Sequence, residues 1–403
     1  MLQFELKKVF SKFKNRMAIV LLLVILVAVS MLTMNRVEYV DSDGNHVSGL
    51  IGARSLRAEK NKWKGEVTED VLEAVVRENE AVNHSPEFQS DNIEELDEAY
   101  ARKQGFSGIA EIINNAFSEW RDYDYFAIDN VSSEEAKSVY ARRISNLKQF
   151  LDSGEEVFSD SQKEYMIKKY EDLETPFYYE YTDGWSALLQ NISTFILVLA
   201  LIIGFLVSGI FSSEFQTKAD AIFFSTKLGR NRAVLSKMGA GFLITTVFYV
   251  AFVLLYTFVV LLALGADGAN CPIQMDMWRS VYNVTFLQAY LLIVVGGYVG
   301  TLFAATLSML ASAITRSTAT AIIVPFIVLC AFPFLSRVIT LPGICSYFPD
   351  QLLEIYITMK DCVLVELGGE VVDVVSVIVP VYAAVCLLLE PVLYKVYKRT
   401  QVS

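Results

Sequence analysis

The sequence predicts an α-helical polytopic membrane protein with six transmembrane helices and a mainly α-helical extracellular domain. Two observations lead to this fold class. First, 54% of the 403 residues are hydrophobic, which is more than a soluble multidomain protein usually carries. Second, several apolar stretches approach the roughly 20 residues that a helix needs to cross a bilayer. A strongly polar insertion at residues 35–187 separates the first two of these stretches.

The six predicted spans are apolar stretches bounded by polar or charged residues. They comprise residues 17–34, 188–211, 238–264, 286–315, 317–336 and 374–394. Arg316 alone separates the fourth span from the fifth, so we expect a tight turn there. Pro325 and Pro380 fall within spans, where neighbouring helices can replace the hydrogen bond that proline removes.

Basic residues next to the spans predict the orientation of the chain. If the N-terminus is cytoplasmic, the short outer connections hold only Arg279, Arg337 and Lys360, whereas the inner flanks hold fourteen basic residues. Those fourteen are Lys7, Lys8, Lys12, Lys14, Arg16, Lys218, Lys227, Arg230, Arg232, Lys237, Arg316, Lys395, Lys398 and Arg399. Both termini, including the tail at residues 395–403, are therefore predicted to be cytoplasmic. The insertion and the connection at residues 337–373 are predicted to be external.

The insertion accounts for the acidity of the whole chain. Residues 35–186 contain 33 acidic and 17 basic residues, a net charge of −16, whereas the whole chain carries −11. Apolar residues at helical spacing predict four helices here, at residues 66–82, 109–120, 132–151 and 160–173. The carboxylates could attract a cationic peptide, and a solvated charged surface is the alternative.

Aromatic residues gather at two places in the insertion, residues 120–126 and 177–185. We interpret both clusters as core packing or anchoring at the membrane interface, with a ligand-stacking surface as the alternative. None of the five cysteines lies in the insertion, so its core rather than disulfides must hold it together. Cys345 and Cys362 share an external connection, and spacing alone leaves open whether they pair.

The N-terminal residues 1–16 predict an amphipathic helix on the cytoplasmic surface of the membrane. Apolar residues recur at helical spacing opposite a basic face, and a solvated basic tail is the alternative. The apolar side carries Leu2, Leu6, Val9, Phe10 and Phe13, and the basic side carries Lys7, Lys8, Lys12 and Lys14. The apolar run that follows is long and has no small-residue cleavage site after it, so we expect an uncleaved anchor.

Motifs that carry catalytic or nucleotide chemistry are missing from the sequence. It contains no H-E-x-x-H, paired C-x-x-C, G-x-S-x-G or P-loop pattern, so we expect a non-enzyme without its own cofactor or metal. The predicted spans carry almost no charge, and ion-driven transporters usually bury charge at that depth. Energy for any transport would therefore come from another subunit. A nucleic-acid partner is not expected, because no dense basic stripe is present.

The inner connection at residues 212–237 combines several functional signals. Ser212 or Ser213 can cap a short helix with Glu214 near its positive end. Residues 221–224 (Ala221, Ile222, Phe223 and Phe224) form an apolar patch in a polar loop. Such a patch favours a surface for a partner, and contact with the membrane surface is the alternative.

This connection resembles that of the ABC-2 family of ABC transporter permeases. The matching residues are Glu214, the stretch IFFSTKLGR at residues 222–230 and Lys237, and residues 4–8 (FELKK) are similar to the usual opening of that family. The resemblance implies six spans, an N-terminal elbow helix, external half-helices in the connection at residues 337–373, and an inner coupling helix that docks in a groove of a separate ATPase subunit. ATP and magnesium would then be bound by that partner ATPase.

Carried over to this chain, the resemblance assigns a role to each site residue. Glu214 would be the acidic residue of the docking segment, and Ala221, Ile222, Phe223 and Phe224 its buried face. Arg230 and Lys237 would fix the segment at the membrane surface. The large insertion departs from the short loop of many family members and leaves the substrate class open.

The resemblance also implies partners and a function. The partners would be an ABC ATPase subunit, a second permease copy or paralogue, and membrane lipids. The expected function is export of a peptide, antibiotic or lipid-like substrate across the plasma membrane, by analogy with permeases of Gram-positive bacteria. The alternative is a membrane receptor or sensor whose external helical domain binds a ligand without transport.

Overall fold

The computed structural model of the protein describes residues 1–41, 43–226, 228–331 and 345–400. Most of this part of the chain is helical, and the strands form three short antiparallel pairs. The helices are α1 (Leu2–Ser11), α2 (Phe13–Met34), α3 (Gly49–Lys60), α4 (Glu69–Asn83), α5 (Ile93–Lys103), α6 (Ser107–Phe117), α7 (Ser133–Ala136), α8 (Val139–Asp152), α9 (Asp160–Glu171), α10 (Asp183–Val207), α11 (Ser213–Gln216), α12 (Asp220–Ser225), α13 (Arg232–Leu264), α14 (Phe286–Thr315), α15 (Thr318–Cys330), α16 (Ile355–Asp361) and α17 (Val374–Lys398). The strand pairs are β1 (Glu38–Val40) with β2 (His46–Ser48), β3 (Gly65–Glu66) with β4 (Tyr178–Tyr179), and β5 (Leu364–Leu367) with β6 (Glu370–Asp373).

Five helices within the described ranges are long and apolar enough to cross a membrane: α2, α10, α13, α14 and α17. Helix α15 is also apolar but has 13 residues, fewer than a bilayer-spanning helix needs. The fifth predicted span, residues 317–336, therefore falls partly on α15 and partly outside the described residues. Six spans stay a prediction, whereas an α-helical membrane protein is confirmed.

Several spanning helices extend beyond the apolar stretches that the sequence marks. Helix α10 begins at Asp183, α13 begins at Arg232 and α17 continues to Lys398. Hydrophobicity identifies the part of a helix that lies in the hydrocarbon region, and the same helix can continue by polar turns beyond it. Lys237 and the first residues of the predicted C-terminal tail are helical for this reason.

Helix α14 is the central helix of the membrane part and contacts α10, α13, α15 and α17. Gly297 permits this close packing, since a Cβ there would lie 2.8 Å from the hydroxyl of Tyr249 and 2.9 Å from the side chain of Ile196. Ser308 and Ser312 donate hydrogen bonds to carbonyl oxygens of α10 and the residue that follows it, at 3.0 and 2.5 Å. Small residues and interhelical hydrogen bonds of this kind hold helices together in lipid.

The connection between α14 and α15 is a single tight turn. Arg316 adopts a left-handed conformation with φ of 58° and ends α14. The hydroxyl of Ser317 then accepts a hydrogen bond from the backbone of Thr320, which caps the start of α15. The chain therefore reverses within a few residues, and α15 packs against α14.

The insertion folds into a mainly helical domain, residues 35–182, which we call the inserted domain. Helices α4, α6 and α9 lie where the sequence predicts helices, and a break before Val139 divides the predicted third helix into α7 and α8. Helices α3 and α5 were not predicted. Helix α5 carries apolar residues at helical spacing (Ile93, Leu96 and Tyr100) but buries only Ala99.

The inserted domain is attached to the connection between α13 and α14, residues 265–285. Arg143 is buried, and its guanidinium donates hydrogen bonds to the carbonyl oxygens of Trp278 and Ser280, each at 3.2 Å. The same guanidinium lies 3.7 Å from the ring centroid of Tyr170. A buried cation with two acceptors and a ring fixes the position of the inserted domain relative to the membrane part.

Two opposite faces of the molecule lie beyond the ends of the spanning helices. The domain face carries the inserted domain, residues 265–285 and residues 345–373, which contain the short helix α16 and the β5–β6 hairpin. The terminal face carries α1, residues 208–231 and the end of α17. Cys345 and Cys362 on the domain face are both free thiols in this structure.

Candidate partner-docking site on the terminal face

Residues 208–231 connect α10 to α13 through two short helices, α11 and α12. Lys218 lies between them with φ of 54°, a left-handed conformation that is uncommon for residues other than glycine. The backbone of Ala219 donates to the carbonyl oxygen of Glu214 at 2.8 Å, which closes the end of α11. The chain therefore turns sharply and α12 follows as a separate helix.

Glu214 in α11 lies inside the protein rather than on its surface. Its carboxylate accepts hydrogen bonds from Lys237 at 2.8 Å, from Lys8, and from the hydroxyl of Ser213 at 3.1 Å. The hydroxyl of Tyr397 lies 3.4 Å from the same carboxylate. One acidic side chain thus connects α11 to α1, α13 and α17.

Lys237 in α13 is the most buried member of this group, with 0% of its side chain exposed. Its ammonium donates to Glu5 at 3.1 Å, to Glu214 at 2.8 Å and to the carbonyl oxygen of Ile210 at 2.8 Å. An ammonium has three donors, so each of them has a partner. A buried lysine is tolerated only when it is paired in this way.

We call the side chains of Glu5, Lys8, Glu214 and Lys237 the ion cluster. Its two carboxylates and two ammonium groups are equal in number, and the ammonium of Lys12 lies close enough to interact electrostatically with each of them. Burial alone would raise the pKa of the Glu214 carboxyl, but Lys237 and Lys8 outweigh that effect and hold the pKa below its usual value. The charged form of Glu214 is therefore the form that the folded protein stabilises.

Aromatic rings pack beside the ion cluster and hold α12 in place. The ring of Tyr397 lies 4.8 Å from Phe211, 6.2 Å from Phe223 and 5.3 Å from Phe224, measured between centroids. Phe224 is buried and Phe223 is half-buried. Half of the predicted apolar patch is therefore part of the protein's own core.

Arg230 connects the segment to the C-terminal end of α17. Its guanidinium donates to the carbonyl oxygens of Lys398 at 2.8 Å and Thr400 at 3.2 Å, and lies 4.9 Å from the ring of Phe224. A cation near the last carbonyl groups of a helix stabilises that helix end. These contacts join residues 208–231 to the end of α17, and the predicted role of Arg230 at the membrane surface stays a prediction.

Ala221 and Ile222 are the members of the apolar patch that face outward. Both are exposed, and 73% of Ile222 is accessible. Within the described residues they form an apolar tip on α12, whose opposite side packs on Tyr397. Such a tip on an anchored helix can insert into a complementary pocket of another protein.

The structure divides the predicted site residues into two groups. Ala221 and Ile222 are accessible to a partner, whereas Glu214 and Lys237 are buried and engaged within the chain. The carboxylate of Glu214 thus holds α11 against α1, α13 and α17 and does not face outward. Glu214 and Lys237 can be buried because each charge is paired with an opposite charge within the chain.

Glu5, Lys8 and Tyr397 complete the site, although the sequence did not mark them as site residues. One signal was present for Glu5, which precedes Val9 by four residues and so shares the apolar side of α1. A carboxylate on an apolar helix face indicates a buried counter-charge. Lys8 and Tyr397 gave no comparable signal, because their partners are distant in sequence.

Comparison with known proteins identifies the family of this chain. The family described as ABC-2 family transporter protein matches residues 17–356, well over half of the chain. The chain belongs to the ABC-2 transporter family. No curated protein and no solved structure matches the sequence.

Membership confirms the resemblance seen in the sequence and makes this chain an ABC-2 permease, the membrane component of an ABC transporter. Permeases of this family normally work with an ABC ATPase partner and are generally not catalytic themselves. The family and the five apolar helices together make the ABC-2 permease a multi-pass membrane protein. They favour a transport component over the receptor or sensor alternative.

Proposed function

We propose that this ABC-2 permease is the membrane subunit of an ATP-driven exporter whose separate ATPase subunit docks on α12. The observation that carries the proposal is the exposed apolar tip of α12, Ala221 and Ile222, on a helix that the ion cluster and Tyr397 hold in place. ATP and magnesium are bound by the ATPase subunit.

The contacts of α11 and α12 provide a route from docking to movement of the spans. Helix α11 is joined to α1 and α13 by the ion cluster. Gln216 in α11 donates to Thr318 at the start of α15 at 2.7 Å. A displacement of α12 by an ATPase would therefore reach several spanning helices together, because packed elements of this kind move as units.

The orientation in this proposal comes from the basic residues. The terminal face lies in the cytoplasm and the inserted domain lies outside, as the distribution of lysine and arginine favours. Helices α2, α13 and α17 expose most of their apolar surface. Membrane lipids and a second permease copy or paralogue cover that surface in the assembled transporter.

The substrate class rests on the resemblance rather than on a bound ligand. We propose a peptide, an antibiotic or a lipid-like molecule, exported through a plasma membrane. Many family members have a short loop in place of the acidic inserted domain. We therefore propose that this domain determines substrate or partner specificity.

Substitution of Ile222 with aspartate tests the docking assignment. Ile222→Asp places a charge on the exposed tip without disturbing the buried Phe224, so folding should be retained while co-purification of an ABC ATPase from native membranes is lost. The matched control is Ile93→Asp, because Ile93 on the inserted domain is equally exposed, at 73%. If Ile222→Asp retains the ATPase as well as Ile93→Asp does, α12 is not the docking element.

A further inference from the structure

A cavity of about 790 Å³ lies on the domain face between the inserted domain and the membrane part. Helix α6 and residues 123–129 line it from the inserted domain, and residues 276–280 and 360–361 line it from the membrane part. Ligand sites in proteins commonly have volumes of about 300–1,000 Å³. The cavity is therefore large enough for a peptide-sized or drug-sized molecule.

Two carboxylates, Glu111 and Asp276, mark the inner part of this cavity. Both also line a second cavity of about 210 Å³ that reaches Asp183 at the start of α10 and Arg36 just after α2. The two carboxylates thus lie where the large cavity meets a smaller polar one next to the spans. One comes from the inserted domain and the other from the connection between α13 and α14.

No ion pair or hydrogen bond to the carboxylate of Glu111 is found among the described residues. Asp276 accepts hydrogen bonds from the hydroxyl of Tyr356, at 3.1 Å, and from that of Ser186. Lys103 and Arg279 on the cavity wall already donate to Asn83 at 2.5 Å and to a backbone carbonyl oxygen at 3.3 Å.

The electrostatic environment of Glu111 favours a bound cation. Glu111 is exposed to the cavity, and its position between the surrounding walls of the cavity, followed by the charge of Asp276, raises the pKa of its carboxyl to about 7. Asp183 adds to this effect, and Lys60 and Lys360 oppose it. Lys60 is itself paired with Asp183 at 2.7 Å. A carboxylate that has a second carboxylate nearby and no ion-pair partner gains from a cation bound between the two.

Aromatic rings border the same cavity. Tyr123 and Tyr125 pack edge to face with their centroids 4.7 Å apart, and Trp278 lies on the opposite wall. Tyr125 and Phe126 are 73% and 58% exposed. Exposed aromatic rings beside carboxylates are suited to organic cations, because the ring face attracts positive charge and the ring also stacks on apolar groups.

We propose that this cavity is a binding site for an organic cation, an ammonium or guanidinium group on a peptide-like or aromatic body, with its charged group between Glu111 and Asp276. An organic cation fits better than a metal ion, since no three histidine, cysteine, aspartate or glutamate side chains of the described residues form a metal-binding group. The site lies on the face opposite α12, so it stands independently of ATPase docking.

Binding of two matched probes to the purified full-length permease tests this site. The probes are N-acetyl-phenylalanyl-arginine amide and its citrulline counterpart, which has the same shape but no charge. At pH 8 calorimetry should show the arginine probe binding at least tenfold more tightly than the citrulline probe. Glu111→Gln should reduce that difference to less than twofold, and Glu134→Gln, at an exposed carboxylate on α7, should leave it unchanged.

Three results would overturn the proposal. They are equal binding of the two probes to the unmodified permease, no binding of the arginine probe, and retention of the tenfold difference in Glu111→Gln. Because the carboxylate of Glu111 holds no other side chain among the described residues, Glu111→Gln should unfold at the same temperature as the parent. Ile222→Asp should bind the arginine probe normally, so failure of ATPase docking and failure of this site are distinguishable.

Discussion

Replacement of Glu214 with glutamine removes one of the two negative charges of the ion cluster. Glu5, Lys8, Glu214 and Lys237 together carry no net charge, so Glu214→Gln leaves an excess of one positive charge around an ammonium that is 0% exposed. Removal of one partner from a buried ion pair typically costs about 3–5 kcal/mol in the free energy of unfolding. We expect a loss of that size.

Lys237→Met leaves the opposite excess, one negative charge, and should cost a similar amount. The double variant Glu214→Gln/Lys237→Met keeps one carboxylate and one ammonium and is neutral again. Its loss should therefore be smaller than the sum of the single losses by about 2 kcal/mol, within the range of coupling energies for contacting residues.

Denaturation of the purified full-length permease by SDS, followed by tryptophan fluorescence, measures the four free energies of the cycle. The control is Glu134→Gln, which breaks an exposed pair with Lys137 at 2.7 Å. An exposed pair contributes about 0–1 kcal/mol, so this variant should unfold almost like the parent. Additive single losses, or a Glu214→Gln loss as small as that of Glu134→Gln, would refute the account of the ion cluster.

Three further predictions concern other parts of the permease. Gly297→Ala should lower the free energy of unfolding by about 1–3 kcal/mol, because the added Cβ crowds the contact of α14 with α10 and α13. SDS denaturation measures this free energy, and an unchanged value would contradict the close packing at Gly297. Arg143→Met should speed amide hydrogen exchange at residues 265–285, because the two hydrogen bonds to the carbonyl oxygens of Trp278 and Ser280 are lost. Unchanged exchange would show that these bonds do not attach the inserted domain. Between pH 6 and pH 8 the affinity for the arginine probe should rise by about tenfold, because a carboxyl with a pKa of about 7 becomes charged over that range; calorimetry should find no such rise in Glu111→Gln.

The membrane helices could be predicted from the sequence because hydrophobicity is a local property. The stretch at residues 286–315 coincides with α14, and Arg316 alone was enough to predict the turn after it. The polar ends of the helices could not be predicted in this way. Lys237 looked like the boundary of a span, whereas α13 begins earlier, at Arg232, and the ion cluster pairs the buried ammonium of Lys237.

The candidate sites were only partly predictable. An apolar Ile222 in a polar connection predicted an exposed patch, but Phe224 in the same patch is buried because it meets Tyr397, far away in the chain. Likewise, Glu111 is one acid among many in an acidic insertion. Glu111 comes close enough to Asp276 to interact electrostatically only when α6 packs near the connection between α13 and α14.

A photo-crosslinking amino acid at Ile222 tests the central claim most directly. We predict that illumination of cells carrying p-benzoylphenylalanine at this position captures a protein that mass spectrometry identifies as an ABC ATPase by its P-loop. The same amino acid at Val157, which is 98% exposed on the inserted domain, should capture no ATPase. Capture of the ATPase from Val157 and not from Ile222 would contradict both the docking site and the proposed orientation.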